Sequence, residues 1–161
     1  MADVVTKHKR SEMMSNIRSS NTRPEVLIRK ALFARGYRYR KNVKTLPGKP
    51  DIYLPKYKAV IQVHGCFWHR HNCHLFKLPS TRTDFWIKKF AVNKANDQKA
   101  KLASISLGLR QLIVWECAIK GKQKRDIDEL INELEDWLTN QTCRDKEIAG
   151  KLMKLDATLQ V

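Results

Sequence analysis

Acidic residues are scarce in this chain. Its 161 residues include 16 Asp and Glu against 32 Lys and Arg, a formal net charge of +16 with a sequence pI near 9.9. An excess of that size points to a polyanionic partner, most simply nucleic acid. Charge alone would also suit a membrane surface. The chain, however, has no long apolar span, signal peptide or lipidation motif, which argues against a membrane. Internal repeats and low-complexity tracts are missing too. Cysteines number only 4, and the polar Met-Ala-Asp start reads as that of a cytoplasmic protein. In a reducing compartment such thiols are free or metal-bound rather than disulfide-linked. With 42% hydrophobic residues, the length fits a single domain with a real core.

Residues 1–21 read as a basic N-terminal arm with few apolar anchors, Met13, Met14 and Ile17. It is either a frayed terminus or an arm that orders on nucleic acid, those three residues forming one face of a short helix. Residues 22–140 read as one nuclease domain, the evidence for which follows. Thr22 and Glu25 form a T-x-x-E capping box, with Pro24 in the first turn and Gly36 as the stop. "YRYRKNV" alternates ring and charge, "DIYL" is a short strand from Asp51, and "KAVIQVH" a buried strand ending at His64. A helix from about Thr83 to Leu107, a strand "RQLIVWEC" and a helix capped by Asp126 complete the order α-β-β-β-α-β-α. That order predicts an α/β fold, a mixed central sheet flanked by helices. Residues 141–161 read as a polar tail, with room for a short terminal helix.

The loop "HGCFWHRHNCHLF" (64–76) concentrates histidine, cysteine and adjacent aromatics. Cys66, His71 and Cys73 are tight enough to supply three ligands to one ion, and tetrahedral zinc takes four N or S ligands. Cys117 ends an apolar strand and is the best fourth, since parallel strands bring their C-terminal ends together. His69 and His74 remain alternatives to His71. Such a closed set is structural and pins a loop with little core of its own. The bland alternative is free cysteines and surface histidines, and Cys143 is read as free.

Pro50-Asp51 opens a strand, and Gln62-Val63-His64 follows 11 residues later. Many metal-dependent nucleases place an aspartate and a second polar group on adjacent strands in this way, to bind Mg2+ and handle the attacking water. His69 lies near the end of the same strand, where a neutral imidazole could deprotonate water. Asp97 could orient that imidazole, although a solvated helix-face charge is the plainer reading of it. Glu25 has an equally plain local role as a cap.

These stretches together, above all "HGCFWH" and "TRTDFW", strongly resemble the very-short-patch-repair (Vsr) mismatch endonucleases, from about "KRSEMMSNIRS" to "EDWL". The resemblance implies a restriction-endonuclease-like core with a structural zinc loop. It implies Mg2+-dependent nicking of one strand, 5′ of the thymine of a T:G mismatch left by deamination of 5-methylcytosine. By resemblance Asp51 binds Mg2+ and His69 is the general base, with His64, Asp97 and Glu25 in supporting positions. The zinc set is Cys66, His71, Cys73 and Cys117. Phe67, Trp68 and Trp86 match aromatics that wedge into the duplex, and Met14 a residue approaching from the other groove. The best-known members carry Thr where this chain has Val63, but the family's Mg2+ contact there is a backbone carbonyl. The implied partners are double-stranded DNA with a T:G mismatch, and a functional link to a cytosine-5 methyltransferase and mismatch-repair proteins. Nicking one strand requires only a monomer. Two rivals stand beside this reading: a restriction-type nuclease on intact duplex, and a zinc-stabilised DNA-binding protein without chemistry.

Overall fold

The computed structural model describes residues 5–152. Its elements are α1 (Lys7–Ser15), α2 (Arg23–Ala34), β1 (Arg40–Lys41), β2 (Ile52–Leu54), β3 (Ala59–His64), α3 (Thr83–Ser106), β4 (Arg110–Trp115), α4 (Ile127–Thr139) and β5 (Asp145–Ile148). The sheet order is β1-β2-β3-β4-β5. β1, β2 and β3 pair antiparallel, and β3, β4 and β5 pair parallel. This is the expected mixed sheet flanked by helices.

Side-chain alternation gives the sheet two unlike faces. Ala59 and Ile61 of β3 join Leu112 and Val114 of β4 in a core built with Ile28 and Leu32 of α2 and Leu130, Ile131, Leu134 and Leu138 of α4. The opposite face carries Gln62, His64 and Gln111, which line cavities shared with α3. α3 therefore covers a polar surface, and only Phe90 and Ser104 of its 24 residues are buried. This polar face is where the chemistry-bearing residues collect.

Helix ends follow from local chemistry. Gly36 and Gly108 take φ of 90° and 72° after α2 and α3. At the first, Gly36 N–H donates to Phe33 O (3.0 Å) and Tyr37 N–H to Leu32 O (3.1 Å). Gly108 and Leu109 repeat that pair of bonds on Ile105 and Ser104 at 2.9 and 3.0 Å, a closure that needs the left-handed glycine. Asp126 caps α4 by accepting from Asp128 and Glu129 N–H at 3.0 and 3.2 Å.

Several expectations need correction. The Thr22–Glu25 box closes differently: Glu25 accepts from Asn21 N–H (2.8 Å) and the Thr22 hydroxyl (2.9 Å), and Thr22 makes no side-chain cap. "YRYRKNV" pairs only at Arg40–Lys41, because its partner β2 is itself three residues long. The strand into Cys117 stops at Trp115 and turns through a 3-10 segment, Glu116–Ala118. The largest miss is β5, inside the stretch read as a polar tail. Arg110 is buried, and its guanidinium donates to the carbonyls of Leu138 (3.1 Å), Trp137, Asn140 (3.0 Å) and Cys143 (3.1 Å). It gathers the end of α4 and turns the chain back alongside β4. Residues 140–152 form no helix, and the rest of that expectation lies outside the described residues.

Candidate active site and metal centre

β3 and β4 run parallel, so His64 and Trp115 lie side by side at their C-terminal ends. The loop after β3 and the turn after β4 leave from the same edge, which brings Cys117 to Cys66. The ligand atoms of Cys66, His71, Cys73 and Cys117 lie within 4.8 Å of one another. Nδ1 of His71 is 3.6 Å from the sulfur of Cys66 and 3.6 Å from that of Cys117. Backbone N–H groups of Cys117 and Gly150 donate to the sulfurs of Cys66 and Cys117, each at 3.3 Å. His71 stacks on Trp115 with centroids 4.2 Å apart. Burial is the largest influence and pushes the Cys66 and Cys117 thiols up and His71 down; the N–H bonds from Cys117 and Gly150, and Glu147 near His71, oppose it only in part. Of the three histidines left open, His71 is the one grouped with the three sulfurs; His69 groups with His64 and Asp97, and His74 Nδ1 bonds Gln123 Oε1 at 2.6 Å.

A second cluster joins His64, His69 and Asp97. His69 Nδ1 is 2.5 Å from Asp97 Oδ2. That bond fixes the ring, and both residues line one cleft. His64 stacks face to face on His69, 3.8 Å apart and 4° from parallel. Parallel rings send their lone pairs into separate planes, so this pair is arranged for packing and proton handling rather than for chelation. His64 Nε2 meets Gln62 Oε1 at 3.0 Å. Burial, then the neighbouring His69, lowers the His64 pKa to about 4, so it is neutral near pH 7.

Asp51 precedes β2 and opens on the same cleft of about 680 Å3 as Glu25, His64, Trp68, His69 and Asp97. Its Oδ2 accepts from Val63 N–H at 2.7 Å. Burial raises its pKa to about 6; the Val63 N–H opposes that rise, Glu25 adds to it, and Arg29 and His69 oppose it. Glu25 is buried. Two carboxylates in one partly buried cleft offer the hard oxygen donors that a divalent cation takes. Ile17, Arg18 and Ser19 of the arm line this cleft as well. Met14 sits on α1, 44% exposed, in a helix with no buried residue.

Phe67, Trp68 and Trp86 meet in one cluster. Phe67 lies 5.3 Å from Trp68 and 5.1 Å from Trp86, and Trp68 lies 5.9 Å from Trp86. Phe90 closes it from α3 at 5.3 Å from Phe67. All three are half-buried, so each packs on its neighbours and leaves an edge at the surface. Asn93 Nδ2 donates to Trp68 O at 2.8 Å and Glu116 accepts from Cys66 N–H at 3.2 Å. Spacing did not signal Asn93, and it left Glu116 indistinguishable from a structural carboxylate.

A mixed sheet consistent with a restriction-endonuclease-like fold, with an aspartate, a histidine–carboxylate pair and a strongly basic chain, fits an endonuclease acting on DNA. Comparison with known proteins places it further. Residues 2–75 match the family described as DNA mismatch endonuclease Vsr. A type II nicking enzyme of Neisseria meningitidis, V.NmeAIP, is 44% identical over 138 residues, covering 84% of this chain and 99% of that relative. The DNA mismatch endonuclease Vsr of Escherichia coli K12 is 41% identical over 141 residues, covering 88% and 90%. V.XorIIP of Xanthomonas oryzae, also a type II nicking enzyme, is 43% identical over 119 residues, covering 74% and 88%. The chain belongs to the Vsr endonuclease family.

Proposed function

We propose that this enzyme is a Mg2+-dependent mismatch endonuclease that nicks one strand 5′ of the thymine of a T:G pair. The observation that carries the reading is the shared cleft: Asp51, Glu25 and the His69–Asp97 pair line it, together with Trp68 of the aromatic cluster. Asp51 and the backbone carbonyl of Val63 would hold Mg2+, which stabilises charge on the scissile phosphate and lowers the pKa of water when bound. His69, oriented by Asp97, takes the proton from the attacking water. His64 stays neutral beneath it and adds no charge to oppose the imidazolium. Glu25 supplies a further carboxylate beside Asp51. Val63 brings no hydroxyl, so nothing beyond its backbone is asked of it.

The second centre fits structural zinc. Zn–S bonds of about 2.3 Å and Zn–N bonds of about 2.0–2.1 Å at a tetrahedral angle imply S···N edges of about 3.6 Å, and both S···N distances here are 3.6 Å. Three sulfurs and one nitrogen complete the shell. Pinning residues 65–75 holds Phe67 and Trp68 as a rigid wedge and His69 in register with Asp51. Unstacking a base step costs a few kcal/mol, and aromatic stacking offsets a similar amount, so a wobble pair opens more readily than a Watson–Crick pair. Met14, exposed on α1, would approach the duplex from the other groove. A monomer suffices, in the cytoplasm, alongside a cytosine-5 methyltransferase and the mismatch-repair proteins.

The deciding experiment is a strand-labelled cleavage assay on duplexes with a central T:G pair in several flanking contexts, each beside its paired control, with Mg2+ or EDTA. A Mg2+-dependent nick 5′ of the thymine, lost in Asp51→Asn while duplex binding persists, is expected. Cutting of the paired control would favour the intact-duplex reading. Tight binding without a cut in any context would favour a binding protein.

A further inference from the structure

Glu25 and Asp51 have a charged neighbour that spacing did not signal. Arg29 lies one helical turn after Glu25 and is only 7% exposed. Its Nη2 donates to Asn21 Oδ1 at 2.8 Å, and its Nη1 is buried without a partner. Among the described residues no ion pair within 4.0 Å joins Arg29 to a carboxylate. A buried guanidinium with a spare N–H would ordinarily close on the nearest carboxylate.

The guanidinium's hydrogen-bond acceptor is a single side chain, Asn21. Asn21 has φ 55°, a conformation asparagine tolerates better than most residues. Its N–H donates to Glu25 Oε2 at 2.8 Å. Its Oδ1 also accepts from Asn42 Nδ2 at 3.3 Å, and Asn42 N–H donates to Asp51 O at 3.0 Å. Asn21 thus ties Glu25, Arg29 and the backbone of Asp51 to one point at the root of the arm.

We propose that Asn21 is a positioning residue that tethers Arg29 away from Glu25 and Asp51, so that both carboxylates stay open to a divalent cation. The inference rests on reading Asp51 as a cation ligand. Without the tether, Arg29 turns onto the carboxylates, occupying the oxygens and supplying the positive charge that a cation would bring.

Asn21→Gly keeps the positive φ and the N–H to Glu25 and removes only the amide. Asn21→Asp restores an acceptor for Arg29. Mn2+ binding to the protein–duplex complex, read by electron paramagnetic resonance, reports the site without turnover. The Mg2+ concentration for half-maximal nicking and the single-turnover rate at saturating Mg2+ accompany it. Asn21→Gly is expected to bind Mn2+ roughly tenfold more weakly, as couplings between contacting residues allow. It should need more Mg2+ in proportion and nick at near wild-type rate once saturated. Asn21→Asp should recover wild-type affinity, and adding Arg29→Met to Asn21→Gly should do the same by removing the competitor. Arg29→Met alone should bind Mn2+ at least as tightly as wild type, a check that does not depend on how well Asn21→Gly folds. Wild-type affinity in Asn21→Gly overturns the inference. So does a loss that Arg29→Met fails to reverse, or weaker binding by Arg29→Met alone. A wild-type protein that binds no Mn2+ and nicks no duplex overturns the cation-ligand reading itself, and is seen before any variant is made.

Discussion

At the scale of single residues, Asp51 shows how burial prepares a group for a task. Its carboxyl is held at a pKa of about 6 by burial first, with Glu25 adding repulsion. A raised carboxyl pKa means that the proton is retained up to pH 6, so below that value a cation must displace it. The Mg2+ concentration for half-maximal nicking should therefore climb as pH falls from 7.5 to 5.5, approaching a tenfold rise per pH unit below about 6. Saturating Mg2+ should recover part of the rate. Mg2+ titrations at several pH values would show this; a requirement independent of pH would mean that Asp51 carries no proton in the resting enzyme. Residues of this kind were legible in the sequence because their types encode their chemistry. Three cysteines and a histidine in such density stand out, whereas Asp51 after a proline is a weak signal alone and gained weight only beside His69 and the rest of the loop. Asn21, Arg29 and Asn93 were not legible. Each acts through a hydrogen bond to a neighbour that only the fold identifies, as Asn93 does with Trp68, 25 positions away. Gln62 was seen in a metal-ligand slot, yet its oxygen goes to His64 instead.

At the scale of elements, two parts of the chain depend on the loop and turn at the strand ends. Cys66, Trp115 and Cys117 form a small buried cluster separate from the main core. Cys73→Ser removes one of the four candidate ligands there, so metal analysis should find its zinc content well below that of wild type. Limited proteolysis should open the segment 65–82 while far-UV circular dichroism stays near wild type. Full zinc content in that variant would remove Cys73 from the ligand set. β5 tests the opposite dependence. Ile148 is 1% exposed, Trp115 Nε1 donates to Glu147 at 3.0 Å, and Gly150 N–H reaches the Cys117 sulfur. Ending the chain at residue 144 should cost about 1.5–3 kcal/mol for Ile148 alone, and more once the lost strand pairing is included. Urea unfolding would measure it, and an unchanged midpoint would make β5 an ornament. The helices and central strands were readable from periodicity and glycine stops. β5 was not, since a strand covered on one face by a single isoleucine leaves almost no hydrophobic pattern to read.

At the scale of the whole molecule, the proposed function divides the work of recognition between the net charge of +16 and the aromatic cluster. Charge acts on every phosphate alike, while a wedge would act on the one step that opens easily. For six to ten phosphate contacts, affinity should fall about 10^3- to 10^5-fold between 50 and 200 mM salt. That loss should be the same for T:G and paired duplexes, because the backbone is the same in both. The ratio of the two affinities should therefore stay flat across the salt range while each affinity drops steeply. Trp68→Ala should do the reverse, collapsing the ratio and leaving the salt slope within about one unit of wild type, since no phosphate contact is lost. Anisotropy titrations of both duplexes at several salt concentrations measure slope and ratio together. If the ratio instead fell in step with affinity, discrimination would come from lysines and arginines reading a distorted backbone, and the wedge would only pack the loop. A flat ratio in wild type with a collapsed one in Trp68→Ala would assign binding strength to the surface charge and choice of site to the Trp68 ring.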